Sequence, residues 1–231
     1  MTLLRSKTLG AAGLLHAFPE RGTTDADLLR ELRLPPGAAI VQVKQVHGAD
    51  AIDAALAGPD RSADALVARA GVGAVAVGVR VADCVPLLVG DEVTGDVAAI
   101  HAGWRGIVAG IVRAGVERLG AGGSRSGSMR LVAAIGPCIG ACCFEVGRDV
   151  AEQIVQASHG AHVVTAERGD KAYVDLRAAV RAQLVAAGVK GTRIDDVAGC
   201  TKHEIARFHS FRRDGPSSGR MLAAIAGRRP A

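Results

Sequence analysis

A chain of 231 residues with 49 % hydrophobic side chains can bury one substantial core, which excludes disorder, and with 3 % aromatic residues that core has to be built from Ala, Val, Leu and Ile. The formal charge of +5 invites nucleic acid, but one Trp, one Tyr and four Phe leave few groups to stack on bases; the densest basic segment, Arg212, Arg213, Arg220, Arg228 and Arg229, suits a small phosphate or a solvated end equally well. No window of ~18 apolar residues reads as a membrane span, the N-terminal apolar run is too short for a leader, and five cysteines in a chain of this size read as reduced thiols, so a cytoplasmic protein is expected.

The first forty residues read as a strand or two and a loop, followed by a helix over 25–34 that Pro35 and Pro36 end. The β-branched alternation after Ala38 predicts a strand over 40–43, with His47 just past its end. A polar loop over 58–62 follows. Beyond it comes DALV, and then valine at alternate positions 75, 77, 79 and 81 with small residues between, the pattern of a strand buried on both faces. Cys84 precedes a further strand over 86–89, the turn at 91–96 leads into VAAIHAG, and that strand ends at His101.

From Trp104 the apolar positions 107, 108, 111, 112, 116 and 119 have helical spacing. Residues 120–127, GAGGSRSG, read as an exposed flexible connection. A strand over 130–135, the Gly-Pro-Cys loop and a helix over 147–158 come next. Asp175 is the expected N-cap of the helix DLRAAVRAQLVAAG, with Gly188 just past its end. A last strand is predicted over 221–226, and there is no repeat of fixed period. One domain over 1–231 is expected, of the α+β class, with mixed β-sheets flanked by helices.

His47, Cys84 and His101 each fall at a predicted strand end or in the loop after it, where residues distant in sequence converge. Two His and one Cys give Zn²⁺ three ligands at ~2.0–2.3 Å and leave a fourth position open, the mark of a catalytic site. Each is unremarkable alone, but KQVHG, ADCVPLL and HAGWRG set charged, Gly and Pro residues against buried strands, company that apolar packing does not require.

KQVHG (44–48), ADCVPLL (82–88), HAGWRG (101–106) and IGPCIGACCFEVG (135–147), with YVDLR (173–177), FRRDG (211–215) and GRM (219–221), resemble the YfiH/YlmD family over residues 38–225. Its members have been called laccase-domain or polyphenol oxidoreductase proteins and purine nucleoside phosphorylases with adenosine deaminase activity. The resemblance implies a YfiH-like fold and metal ligation by His47, Cys84 and His101, which then also carry the catalysis. It implies phosphorolysis of adenosine, inosine, guanosine and methylthioadenosine, deamination of adenosine, and hence a small-molecule nucleoside and phosphate as partners, with neither nucleic acid nor membrane. The chain departs from the family where FPERGTT (18–24) stands for FFTRxGG and FHSFRR (208–213) for FFSYRR, which bears on Arg21 and His209.

Zinc, or copper in its place, would serve the deaminase chemistry by activating water. Phosphorolysis needs cations for phosphate, and Lys44, Arg212 and Arg213 are the candidates. Arg105 is placed to lock the His101 loop, and Asp83 to orient a ligand histidine or cap a turn. Cys138, Cys142 and Cys143 read as structural because C-x3-CC is not a zinc-knuckle spacing, and His159, His162 and His203 read as surface residues. Three rivals remain: copper-dependent phenol oxidation, against which the absence of any H-x-H pair weighs; a Cys/His hydrolase of cell-wall precursors with Cys84 as nucleophile and His101 as base; and a zinc-stabilised binding module.

Overall fold

Leu87 and Leu88 are both fully buried yet belong to different cores, because the strand that carries them lies between two packed layers. The computed structural model describes residues 2–58, 60–71, 76–121 and 130–228. Val75, most of the loop predicted over 120–127, and Arg229 lie outside the described residues.

The elements are β1 (Leu3–Leu4), α1 (Lys7–Ala11), β2 (His16–Pro19), α2 (Asp25–Glu31), β3 (Ile40–Val41), β4 (Ala51–Asp53), β5 (Ala65–Ala68) and β6 (Ala76–Val81). There follow β7 (Val85–Asp91), β8 (Val97–Ala102), α3 (Trp104–Ala109), α4 (Ile111–Gly120), β9 (Leu131–Ile135), β10 (Glu145–Gly147) and α5 (Arg148–Ala157). The last are β11 (Val164–Arg168), β12 (Lys171–Val174), α6 (Leu176–Ala186), β13 (Ile194–Asp196), α7 (Phe211–Asp214) and β14 (Met221–Ala226).

A six-stranded mixed sheet, ordered β13-β9-β7-β8-β5-β4, packs one face on α3 to α6 through residues such as Leu87, Ile100, Ile107, Ile111 and Leu184. Its other face, carrying Leu66, Leu88 and Ala99, packs on Val77, Val79 and Ile225 of a five-stranded sheet ordered β1-β2-β14-β6-β3. Helix α2 covers the far side of that second sheet with Leu28. Strands covered on both faces have no polar side to show, and every residue of β7 and β8 is buried. The architecture is α+β with mixed sheets and flanking helices, as read from the sequence.

Several boundaries differ. The apolar run after Trp104 forms two helices, because Gly110 adopts the left-handed conformation at φ 89° and ends α3 before α4 begins. Gly120 closes α4 and does not open a loop. A three-stranded antiparallel sheet, β10-β12-β11, has no counterpart in the sequence reading. Asp175 caps α6 through the amides of Arg177 and Ala178, and Gly188 follows with φ 91°, as expected.

Candidate metal centre and its cleft

Strands β7 and β8 pair antiparallel with Pro86 opposite His101, so the turn before β7 brings Cys84 alongside the end of β8. His47 reaches the same place from the β3–β4 loop, six residues beyond β3 and not directly at its end. Cys84 Sγ lies 3.8 Å from His47 Nε2, the rings of His47 and His101 meet edge to face with centroids 4.7 Å apart, and the three ligand atoms lie within 4.8 Å of one another. A Cβ at Gly103 would stand 2.9 Å from His47 Cδ2 and 3.0 Å from Cys84 Sγ, so the Gly of HAGWRG makes room for the triad.

Asp64, at 0 % exposure, fixes this arrangement. Its Oδ1 is 2.8 Å from His101 Nδ1 and 2.9 Å from the amide N of His47, and its Oδ2 accepts from the Gly48 amide at 2.7 Å. A carboxylate on Nδ1 makes that nitrogen the donor and leaves Nε2, facing Cys84, as the lone-pair side available to a metal. These amide bonds also hold His47 at φ 61°, a left-handed conformation uncommon outside glycine. The sequence reading missed Asp64 as a site residue; it is the first residue of DALV, just past the polar loop over 58–62.

The electrostatics follow from the geometry. Burial alone would push the Cys84 thiol up, but hydrogen bonding and charge from His101 and His47 outweigh it and hold the thiol at about 7. Burial opposes charge on His101 too, and Asp64 and Cys84 overcome it, raising the imidazolium to about 9. Asp64 is itself held below the usual carboxylate range: burial works against this, and the His101 hydrogen bond and the Gly48 and His47 amides prevail. Two imidazoles, a readily formed thiolate and a 3.8 Å S···N edge fit a tetrahedral ion, for which that edge is about 3.6 Å.

The triad opens into a cleft of ≈ 620 Å³, within the ~300–1,000 Å³ usual for small-molecule sites. Three of the chain's six aromatic residues of the Phe, Trp and Tyr types line it: Trp104, Phe144 and Phe211. Each carries a guanidinium on its ring, with Arg105 Cζ 4.4 Å from Trp104, Arg212 5.3 Å from Phe144 and Arg220 5.5 Å from Phe211. Among the described residues, none of these three arginines is in an ion pair with a carboxylate, whereas Arg80, also on the cleft, bonds Asp25 at 2.7 Å.

Of the residues read as phosphate ligands, the cleft receives one. Arg212 lines it and donates to the Glu145 carbonyl at 2.8 Å. Lys44 does not line it: Val43 and Gln45 do, and the alternation of an extended chain turns Lys44 away. Arg213 is spent on the carbonyls of Thr201, Lys202 and Phe208 and on Asp214. Asp83 orients no histidine; it accepts from Thr201 Oγ1 and from the Arg212 amide, both at 2.6 Å. The Arg105 guanidinium lies on the Trp104 ring. Arg21 donates to the Ile205 carbonyl at 2.9 Å, outside the cleft lining. Cys138 is fully buried, its thiol pushed up to about 12 by desolvation, and His159, His162 and His203 are exposed.

Comparison with known proteins follows the same lines. The family model described as multi-copper polyphenol oxidoreductase laccase matches residues 23–228. An adenosine deaminase from an unknown prokaryotic organism is 43 % identical over 70 % of this chain, which spans 61 % of that relative's length. A purine nucleoside phosphorylase of Streptomyces coelicolor is 37 % identical over 94 % of this chain and 87 % of its own. The crystal structure of YlmD from Geobacillus stearothermophilus superposes with a TM-score of 0.73 at 30 % identity, covering 94 % of this chain and 90 % of that one. Among the described residues no helix is long and apolar enough to cross a membrane.

Proposed function

The chain belongs to the multi-copper polyphenol oxidoreductase laccase family, that of YfiH and YlmD, and we propose that it is a zinc-dependent enzyme that cleaves purine nucleosides with phosphate and deaminates adenosine. The names of its relatives support an enzyme that processes nucleosides. The observation that carries the reading is the pairing of a His-Cys-His triad with three arginine-covered aromatic rings around one cleft.

His47, Cys84 and His101 would hold the metal, and Asp64 would keep His101 in the tautomer that ligates. Bound there, zinc supplies a Lewis acid able to activate water for attack on a purine carbon. Trp104, Phe144 and Phe211 offer π-faces for a purine, a base that stacks at roughly 1–3 kcal/mol per contact. Arg212, Arg105 and Arg220, without carboxylate partners among the described residues, supply positive charge for phosphate and for the electron density that builds on the purine as the glycosidic bond breaks.

Mass spectrometry of zinc-loaded protein incubated with adenosine, with and without phosphate, tests this beside Cys84→Ala. The expected products are adenine and ribose 1-phosphate only with phosphate, and inosine in either case, all lost in the variant. Unchanged adenosine overturns the reading. A second reading, hydrolysis with Cys84 as nucleophile, draws on the thiol at about 7 beside the His101–Asp64 pair. Full activity in metal-free protein would establish it, since a bound metal occupies the thiolate.

A further inference from the structure

A second group of metal-ligand side chains lies outside the triad. Cys142 Sγ is 3.6 Å from Cys143 Sγ, 3.8 Å from Cys200 Sγ and 3.4 Å from His203 Nδ1, and Cys143 Sγ is 3.8 Å from the same nitrogen. All four ligand atoms lie within 4.8 Å of one another. We propose that Cys142, Cys143, Cys200 and His203 form a structural zinc site that clamps the loop after β9 to the loop after β13.

The distances carry the assignment. A tetrahedral zinc with bonds of about 2.3 Å to sulfur and about 2.0–2.1 Å to nitrogen sets S···S edges at about 3.8 Å and S···N edges at about 3.6 Å. The four contacts, at 3.6, 3.8, 3.4 and 3.8 Å, scatter around those values. Hydrogen bonding between thiols is too weak to gather three of them with an imidazole. Four protein ligands leave no open position, which makes the site structural and not catalytic, and three sulfurs select a soft ion over magnesium or calcium.

The surrounding chain is built for ligation. The Cys143 and Phe144 amides donate to the Gly140 carbonyl, a tight turn that presents both adjacent cysteines. Across from it, the Glu204 amide donates to the Cys200 carbonyl at 2.9 Å and the Cys200 amide to Glu204 Oε1 at 2.6 Å, folding Cys-x2-His into one turn. The Gly140 amide points at Cys200 Sγ, 3.2 Å away, the bond that a thiolate ligand receives. A Cβ at Gly140 would stand 3.2 Å from Cys142 Sγ and 3.3 Å from Cys200 Sγ. Both loops also hold Asp83, the neighbour of Cys84: Ile139 donates its amide to the Asp83 carbonyl and Thr201 its hydroxyl to the carboxylate. The clamp therefore stiffens one wall of the cleft, whatever substrate the cleft takes.

The test is cobalt titration of the full-length chain, stripped of metal and kept under a phosphine reductant. The unsubstituted chain is expected to bind two equivalents of Co²⁺, and a His47→Ala, Cys84→Ser variant one, with strong thiolate-to-cobalt charge transfer and intense tetrahedral d–d bands that Zn²⁺ erases. Adding Cys200→Ser should abolish that remaining equivalent. Saturation of the unsubstituted chain at one equivalent, with all thiolate absorption lost on Cys84→Ser, overturns the proposal and decides the matter even where a multiple variant fails to fold. Failure to turn over nucleosides leaves these stoichiometries unchanged.

Discussion

The Asp64 carboxylate bonds His101 Nδ1 at 2.8 Å and the His47 amide at 2.9 Å through one oxygen, so a single buried side chain sets two of the three candidate ligands. Asp64→Asn keeps the shape but exposes an NH₂ or a neutral oxygen where an anion stood. Partners of this kind are worth about 10–100-fold in metal affinity. Competition against a chromophoric chelator is expected to show a loss of that size; unchanged affinity would reduce Asp64 to a loop anchor.

Gly103 has ordinary helix-entry geometry, φ −72° and ψ 161°, so replacing it strains no backbone. Its importance is spatial, because an added methyl meets His47 Cδ2 at 2.9 Å and Cys84 Sγ at 3.0 Å. Gly103→Ala is therefore expected to weaken zinc binding and lower kcat while leaving the melting temperature of metal-free protein near that of the parent. A fall in that melting temperature would mean that the residue serves packing instead.

Strands β6 to β9 were legible because both of their faces are covered, which writes burial into nearly every residue. Strand β11 was not: four of its five residues are exposed, and its pairing with β12 leaves no hydrophobic alternation to find. The break at Gly110 escaped notice for a related reason. Ile107, Ile111, Val112, Val116 and Leu119 are all buried across it, so the apolar spacing runs on past the left-handed residue that separates the two helices. At the site, the metal ligands sit in recognisable motifs, whereas Asp64, Arg220 and the Cys200–His203 turn act through contacts between segments far apart in the chain, which no local pattern records.

The three basic residues first read as phosphate ligands separate cleanly by experiment. A charge-assisted hydrogen bond contributes about 1.5–3 kcal/mol, or about ten- to a hundredfold in binding. Arg212→Ala is expected to raise KM for phosphate by that factor with little effect on KM for adenosine. Lys44→Ala should change neither constant, since its side chain lies off the cleft. Arg213→Ala should lower the melting temperature without raising KM for phosphate, because its guanidinium holds three carbonyls and Asp214. A phosphate effect confined to Lys44 or Arg213 would relocate the anion site.

Acid is expected to loosen the N-terminal segment in two stages. His16, 2 % exposed, accepts from the Ser6 amide through Nε2 and donates from Nδ1 to the Leu14 carbonyl, each at 2.8 Å, so it is built in as the neutral ring. Burial, the largest cause, holds its pKa below the ordinary 6.5. The unfolded chain therefore takes up this proton first, and the stability present above 6.5 drains away as pH falls toward the folded value. Asp195 receives the Ser6 hydroxyl at 2.8 Å and the Lys7 amide at 2.7 Å; burial opposes its ionisation, those bonds prevail, and its contribution persists down to its ordinary 3.8 and is lost below. Melting temperatures measured across this range should fall first below about pH 6.5. His16→Gln should flatten that first stage, and Asp195→Asn should remove only the second. A first stage unchanged by His16→Gln would assign it to another histidine.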